Sequence, residues 1–114
     1  MIKIYHNPRC SKSRQALELL QSKGLEPQVV LYLEQAPTKT EIKEILAKLK
    51  LTARDIMRTQ EDEFRAQNLS DKNLSDDDLI SAIVNTPKLL ERPIVINGNK
   101  AAIGRPLENI LRIL

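Results

Sequence analysis

The sequence predicts an α/β fold built on one small mixed sheet, and three patterns support this prediction. The first residues alternate between apolar and polar and stop at an Asn-Pro pair, which is typical of a short strand. Several later segments place apolar residues three and four positions apart, which indicates amphipathic helices. Close to the end of the chain, two apolar runs flank an Asn-Gly pair, and this arrangement favours an antiparallel hairpin.

The opening segment predicts a strand, a helix and a second strand. Residues 2–6 (IKIYH) are predicted as the first strand, and residues 28–33 (QVVLYL) as a buried second strand. Between them, a helix is expected to begin close to Cys10 and to end at Lys23-Gly24, since glycine commonly follows the last helical turn. Its buried face is predicted to carry Ser13, Ala16, Leu17 and Leu20. Two strands joined by a helix normally pair in parallel.

The middle of the chain is predicted to be helical. Three residue pairs have the capping-box spacing, in which Ser or Thr precedes an acidic residue by three positions. They are Thr38 with Glu41, Thr52 with Asp55, and Ser75 with Asp78. The first pair opens a helix with a clear apolar stripe, the second a short helical segment that includes Arg58, and the third a helix that ends before Pro87. Residues 61–73 carry no clear pattern.

The last quarter of the chain predicts the remaining strands. Residues 93–96 and 101–104 form the hairpin around an Asn97-Gly98 turn, and a helix follows from Pro106. The full order is that of a thioredoxin-like fold, a four-stranded mixed sheet with helices inserted between an N-terminal βαβ unit and a C-terminal ββα unit. We therefore expect a single domain over residues 1–114.

Composition limits the classes of function. The chain has 114 residues and a formal net charge of +3, and its lysines are scattered among glutamates, so nucleic-acid binding is not expected. The single cysteine excludes an intramolecular disulfide, and the first residues lack the apolar core of a signal peptide. No apolar run approaches the ~20 residues of a membrane span. We expect a cytoplasmic monomer that binds no membrane.

The segment HNPRCSKSR (residues 6–14) contains the only cysteine and the only histidine of the chain. A cysteine at a helix N-terminus faces unpaired backbone N–H groups and the positive end of the helix dipole, which favour its thiolate form. The neighbouring Arg and Lys side chains add positive charge. Cys10 is therefore the predicted catalytic nucleophile. His6 is either its activating partner or a residue that only caps the strand end.

The residues that follow Cys10 limit the reactions in which it could take part. Ser13 stands where a dithiol oxidoreductase has its second cysteine, so an external thiol would have to resolve a mixed disulfide. Ala16 stands where a low-molecular-weight tyrosine phosphatase has its arginine, which disfavours phosphatase chemistry. One cysteine and one histidine are also too few for the usual soft-ligand metal site, so we expect no metal and no bound cofactor.

The same helix N-terminus favours small oxyanions as ligands. Arginine side chains match tetrahedral oxyanions through paired hydrogen bonds. Three arginines beside backbone-fixing residues are the predicted substrate-binding residues: Arg58, Arg92 and Arg105. Two of them precede a proline at a strand boundary. Three other arginines are interpreted as solvated surface charges: Arg54, Arg65 and Arg112.

The sequence resembles the glutaredoxin-coupled arsenate reductase family, and especially its short bacterial members. The resemblance rests on five segments in this order and spacing: IYHNPRCSKSR, VVLYLE, IMRTQED, LLERPIVI and IGRPLENIL. It implies that Cys10 attacks arsenate, that His6 activates this cysteine, and that the three predicted arginines hold the arsenate. It also implies that glutathione, as a co-substrate, displaces a second arsenic oxygen and that glutaredoxin completes the reduction to arsenite.

Two departures from the family pattern keep other functions open. Many members have C-G-T-S where this chain has CSKS (residues 10–13), and a small residue where this chain has Arg9. The loop is therefore also compatible with another anion or another reductant. The superfamily includes thiol-based regulators that bind RNA polymerase. These typically carry a Cys-x-x-Cys switch, and here Ser13 stands at the position of its second cysteine. A redox-inert oxyanion-binding module is the third alternative.

Overall fold

The computed structural model describes residues 1–114, in which strands and helices alternate as the sequence predicts. The strands are β1 (Ile2–Tyr5), β2 (Gln28–Val30), β3 (Ile94–Asn97) and β4 (Lys100–Ile103). The α-helices are α1 (Ser11–Ser22), α2 (Lys39–Leu49), α3 (Asp62–Ala66) and α4 (Asp76–Asn85). Short 3₁₀ helices occupy Ala53–Ile56, Pro87–Leu89 and Leu107–Ile113. The chain divides into two compact units, one formed by Met1–Gln35 with Arg92–Leu114, and the other by Ala36–Glu91.

The first unit contains the sheet. Its four strands lie in the order β2-β1-β3-β4, with β1 and β2 parallel and the other neighbours antiparallel. This mixed sheet, with the helices inserted between its two halves, confirms the predicted thioredoxin-like fold. Helix α1 and the last 3₁₀ helix share one buried cluster with the sheet: Ile4, Ala16, Leu20, Val95, Ala102, Ile110 and Ile113. Packing against the sheet therefore fixes the positions of the end of β1 and the start of α1.

The second strand is shorter and more exposed than predicted. It spans only Gln28–Val30 and lies at the edge of the sheet, where Val29 remains 41% exposed. Directly after it the chain turns, because the carbonyl of Leu31 accepts the backbone N–H groups of Glu34 and Gln35. The predicted strand is confirmed for residues 28–30, but its predicted burial and its extension to residue 33 were wrong, because the strand lies at the sheet edge and a turn that buries Tyr32 follows it.

The C-terminal hairpin forms, but its turn lies one residue later than predicted. Asn97 pairs with Lys100, so Gly98 and Asn99 are the two turn residues. Gly98 has φ of +61°, a value that glycine adopts without strain and that suits the first position of this kind of turn. The helix predicted from Pro106 is present as a 3₁₀ helix over Leu107–Ile113.

The second unit confirms the helices that capping boxes predict. The Thr38 and Ser75 side chains accept N–H groups three residues on, and α2 and α4 follow them. The Thr52 box also forms, but it opens only the 3₁₀ helix Ala53–Ile56, because Met57 leaves the helix to pair with Leu90. Arg58 therefore lies after an extended residue, and its predicted helical setting was wrong.

Arg54 has a structural task that the sequence did not reveal. Its Nη1 and Nη2 donate to the carbonyls of Leu69 and Asp71 at 2.8 and 3.0 Å. The prediction of a solvated charge was wrong here, because the guanidinium donates to two backbone carbonyls of the loop after α3. Arg65, by contrast, is exposed as expected. No helix of the chain combines the length and the apolar character needed to cross a membrane.

Candidate active site

Cys10 is the N-cap residue of α1. Its backbone is extended, with φ of −95° and ψ of 121°, and its carbonyl accepts the first helical hydrogen bond from the Arg14 N–H at 3.0 Å. The half-buried thiol makes no capping hydrogen bond. The first turn of α1 contains no acidic residue, whereas the first turns of α2, α3 and α4 each contain at least one. The positive end of the α1 dipole is therefore not neutralised by a carboxylate of its own helix.

The loop before Cys10 is closed by its own hydrogen bonds. The Cys10 N–H donates to the Asn7 carbonyl at 3.0 Å, and the Asn7 side-chain oxygen accepts the Arg9 N–H at 3.0 Å. Arg14 reaches back and donates from Nη1 to the Pro8 carbonyl at 2.8 Å. One of the charged neighbours of Cys10, Arg14, thus also fixes the shape of the loop.

His6 is buried and contacts Ser13 instead of solvent. Its Nδ1 lies 2.6 Å from Ser13 Oγ, and the same hydroxyl accepts the Asn7 N–H at 3.0 Å. Burial lowers the pKa of His6, and the positive charge of Arg14 lowers it further. His6 is therefore biased toward the neutral imidazole, and the structure directs its Nδ1 to Ser13. That His6 activates Cys10 stays a prediction.

Ser13 lies on the buried helix face as predicted, but it also has a role in the site that was not predicted. Ser13 is fully buried on the side of α1 that faces the sheet. A serine among apolar residues at helical spacing is the signal that could have revealed it, because a buried hydroxyl needs hydrogen-bond partners. Here the partners are His6 and the backbone of Asn7, so Ser13 ties α1 to the end of β1.

Arg105 is the arginine that reaches the thiol. Its Nη2 donates to Cys10 Sγ at 3.5 Å, and its Nε donates to the Arg92 carbonyl at 2.7 Å. One guanidinium therefore connects the start of α1 to the segment before β3. It also places a positive charge in contact with the sulfur.

The chain on either side of Arg105 is closely packed. Gly104 donates its N–H to the Pro93 carbonyl at 2.9 Å. A Cβ atom at Gly104 would lie 2.8 Å from Pro93 Cγ and 2.9 Å from Ile110 Cδ1, so only glycine fits without displacement. The peptide bonds before Pro93 and Pro106 are both cis. This packing holds the backbone from which the Arg105 side chain extends.

The structure brings only some of the predicted site residues together. Cys10 contacts Arg105, Arg105 contacts the backbone of half-buried Arg92, and His6 joins the loop through Ser13. Arg58 belongs to the second compact unit, where its Nε lies 3.1 Å from Glu61 Oε1. The substrate-binding roles of Arg58, Arg92 and Arg105 stay predictions.

A thiol at an open helix N-terminus with a guanidinium in contact defines a cysteine-centred site suited to small anions. Together with the sheet order, this site defines the chain as a thioredoxin-like protein with a single cysteine. The chain matches the ArsC family over residues 5–113 and belongs to that family. The match confirms the resemblance drawn from the sequence.

Relatives and solved structures agree with this membership. The chain is 52% identical to the arsenate reductase of Neisseria meningitidis serogroup A, an alignment that covers 99% of this chain and 97% of the relative. It is 51% identical to the uncharacterized protein YfgD of Escherichia coli K12, over 99% and 96% of the two chains. The solved arsenate reductase from Vibrio cholerae superposes with a TM-score of 0.97 at 47% identity, over 99% and 97% of the two chains.

Proposed function

We propose that this protein reduces arsenate to arsenite with Cys10 as the nucleophile, and that glutathione and glutaredoxin supply the electrons. The observation that carries the proposal is the contact between Arg105 Nη2 and Cys10 Sγ at the N-terminus of α1, where the first turn lacks acidic residues. The names of relatives that are about half identical to this chain support arsenate as the substrate.

The oxyanion binds where positive charge and N–H donors converge. Backbone N–H groups of the first turn of α1 have no intrahelical acceptor, so they are available to arsenate oxygens. Arg105 turns part of its guanidinium from the thiolate to the anion and stabilises the charge on the arsenic oxygens. Arg92 and Arg58 are the further arsenate-binding residues that the family resemblance implies.

The chemistry begins with substitution at arsenic. The Cys10 thiolate forms a sulfur-arsenic bond, and one arsenate oxygen takes up protons and leaves as water. Glutathione then replaces a second oxygen in the same way, so arsenic carries two sulfur ligands and is still pentavalent. No electrons have been transferred up to this point.

Reduction follows when the glutaredoxin thiolate attacks the sulfur of the bound glutathione. A disulfide forms between glutaredoxin and glutathione, the glutathione sulfur-arsenic bond breaks, and its electron pair stays on arsenic. Arsenic becomes trivalent, and hydrolysis of the remaining bond to Cys10 releases arsenite and the free thiol. Because Ser13 occupies the position of a second cysteine, both reducing sulfur atoms come from outside the chain. The expected cytoplasmic location would supply them, since glutathione keeps thiols reduced there.

A coupled assay that omits one component at a time tests this proposal. Arsenite should form with arsenate, glutathione and glutaredoxin together, and its formation should stop when either glutathione or glutaredoxin is left out. Arsenite formation without glutaredoxin would contradict the proposed donors, and no arsenite under any condition would contradict arsenate reduction itself. Binding of RNA polymerase by a protein without reductase activity would favour the regulator alternative.

A further inference from the structure

The backbone around Arg58 is fixed by pairing with a second segment of the same unit. The Arg58 N–H donates to the Leu89 carbonyl at 2.7 Å, and the Glu91 N–H donates to the Ile56 carbonyl at 2.7 Å. Between these two hydrogen bonds, Met57 and Leu90 form an antiparallel bridge. The position of the Arg58 Cα is therefore set by the chain on both sides of it.

The Arg58 side chain is held from one end only. Its Nε lies 3.1 Å from Glu61 Oε1, and both side chains are mostly covered, at 21% and 24% exposure. Both Nε and Nη1 are buried and neither has a hydrogen-bond acceptor in the protein, so the contact with Glu61 is an ion pair without hydrogen-bond geometry. A buried donor on a charged group is costly when it is unpaired, and such a group commonly marks a place where a ligand supplies the acceptor.

The carboxylate of Glu61 is shared with a second cation. Its Oε2 lies 3.7 Å from Lys88 Nζ, and the same ammonium lies 2.9 Å from Glu63 Oε2. Two positive and two negative side chains thus form a chain of contacts with no net charge. Glu61 therefore holds Arg58 without making the surroundings of the guanidinium negative.

From these contacts we infer that Glu61 is the positioning residue of Arg58, holding its Nε so that the terminal N–H groups are presented to an oxyanion. The part of this inference that concerns arsenate rests on the proposed function, because the resemblance implies Arg58 as an arsenate-binding arginine. Glu61 touches no reacting atom in this role. It acts by limiting the orientations of the guanidinium, which is how a fixed group contributes to catalysis.

Two substitutions at the same position separate positioning from charge. Glu61→Ala and Glu61→Gln both remove the negative charge, but only glutamine keeps the length of the side chain and an oxygen beside Arg58 Nε. If Glu61 acted through its charge alone, both variants would bind anions more tightly and to the same extent. Asp62→Ala is the matched control, since it removes the adjacent acidic residue, whose exposed side chain lies 3.6 Å from Arg65 Nη2.

The first readout is the Nε–H signal of Arg58 in a ¹⁵N-correlated NMR spectrum, assigned by its loss in Arg58→Lys. The signal should be distinct in the wild type, in Glu61→Gln and in Asp62→Ala, and averaged or absent in Glu61→Ala. This readout does not depend on arsenate. Thermal melting of each variant shows whether the fold is kept.

The second readout is the steady-state kinetics of arsenate reduction. Glu61→Ala should lower kcat/KM about 10- to 100-fold, the size expected when a catalytic contact is misplaced, and Glu61→Gln should recover most of the loss. Equal kinetics for the two Glu61 variants, or equal NMR spectra, would overturn the positioning role. Failure of the proposed function shows differently, as an absence of arsenate reduction in the wild type while the NMR difference persists.

Discussion

Replacing Arg105 with lysine tests how the candidate site recognises its anion. The guanidinium makes two contacts with two different nitrogen atoms, Nε to the Arg92 carbonyl at 2.7 Å and Nη2 to Cys10 Sγ at 3.5 Å. Lysine keeps the positive charge, but its single nitrogen cannot make both contacts at once. The variant therefore loses the fixed orientation of the charge and keeps the charge itself.

The size of the effect follows from these contacts. A hydrogen bond to a charged group contributes about 1.5–3 kcal/mol, and solvent near the exposed Arg105 side chain favours the lower end, about 1.5–2 kcal/mol. Because 1.36 kcal/mol corresponds to a factor of ten, Arg105→Lys should lower kcat/KM about 10- to 30-fold. Arg105→Ala removes both contacts and the charge, so its loss should approach about 3 kcal/mol, or about 150-fold.

The assay is the steady-state rate of arsenite formation with arsenate varied, together with the rate of Cys10 alkylation by iodoacetamide. The alkylation rate should fall in Arg105→Ala, because that variant lacks the guanidinium that contacts Cys10 Sγ. Arg65→Lys and Arg112→Lys are suitable controls, since both arginines are exposed. Arg54 is unsuitable because it holds the loop after α3. Wild-type kinetics in Arg105→Lys, or equal losses in the controls, would refute the reasoning.

Three further predictions concern the fold around the site. Ser13→Ala leaves the buried imidazole of His6 without its partner, so the free energy of unfolding measured in urea should fall by about 1–3 kcal/mol. An unchanged unfolding midpoint would contradict the proposed link between α1 and β1. Gly104→Ala forces a Cβ against Pro93, which should cost about 1–3 kcal/mol and lower Tm; an unchanged Tm would mean that the packing relaxes freely. Because the pKa of His6 is lowered in the folded chain, the unfolded chain binds a proton more readily, and stability should fall as pH drops below about 6.5. His6 is the only histidine, so His6→Gln should flatten the pH dependence of unfolding between about pH 7.5 and 5.5, and an equal slope in both proteins would contradict the buried neutral imidazole.

Helices and strands were predictable from the sequence where the capping residues and the pattern of apolar residues favour the same element. The capping boxes at Thr38 and Ser75 open α2 and α4, since these side chains satisfy N–H groups that every helix leaves unpaired. The box at Thr52 forms as well, but pairing of Met57 with Leu90 ends the helix after one turn. Local sequence does not encode that pairing, because the two segments are far apart along the chain.

The candidate site was also predictable from the sequence only in part. The position of Cys10 at a helix N-terminus follows from the pattern around it, because a strand, a turn and an amphipathic face leave few places for the helix to begin. The partners of Arg54 and Arg58 could not be predicted, since both depend on where a loop and an acidic side chain are brought by the packing of the second unit. Charge alone does not distinguish an arginine that ties a loop from one that binds an anion.

The most direct test of the account compares the wild type with Cys10→Ser in the arsenate, glutathione and glutaredoxin assay. A serine hydroxyl is a far weaker nucleophile than a thiolate and cannot be regenerated by thiol exchange. We predict arsenite formation by the wild type and, for Cys10→Ser, a rate no higher than that without protein, with Tm unchanged. Arsenite formation by a folded Cys10→Ser variant at the wild-type rate would contradict the claim that Cys10 is the nucleophile of this protein.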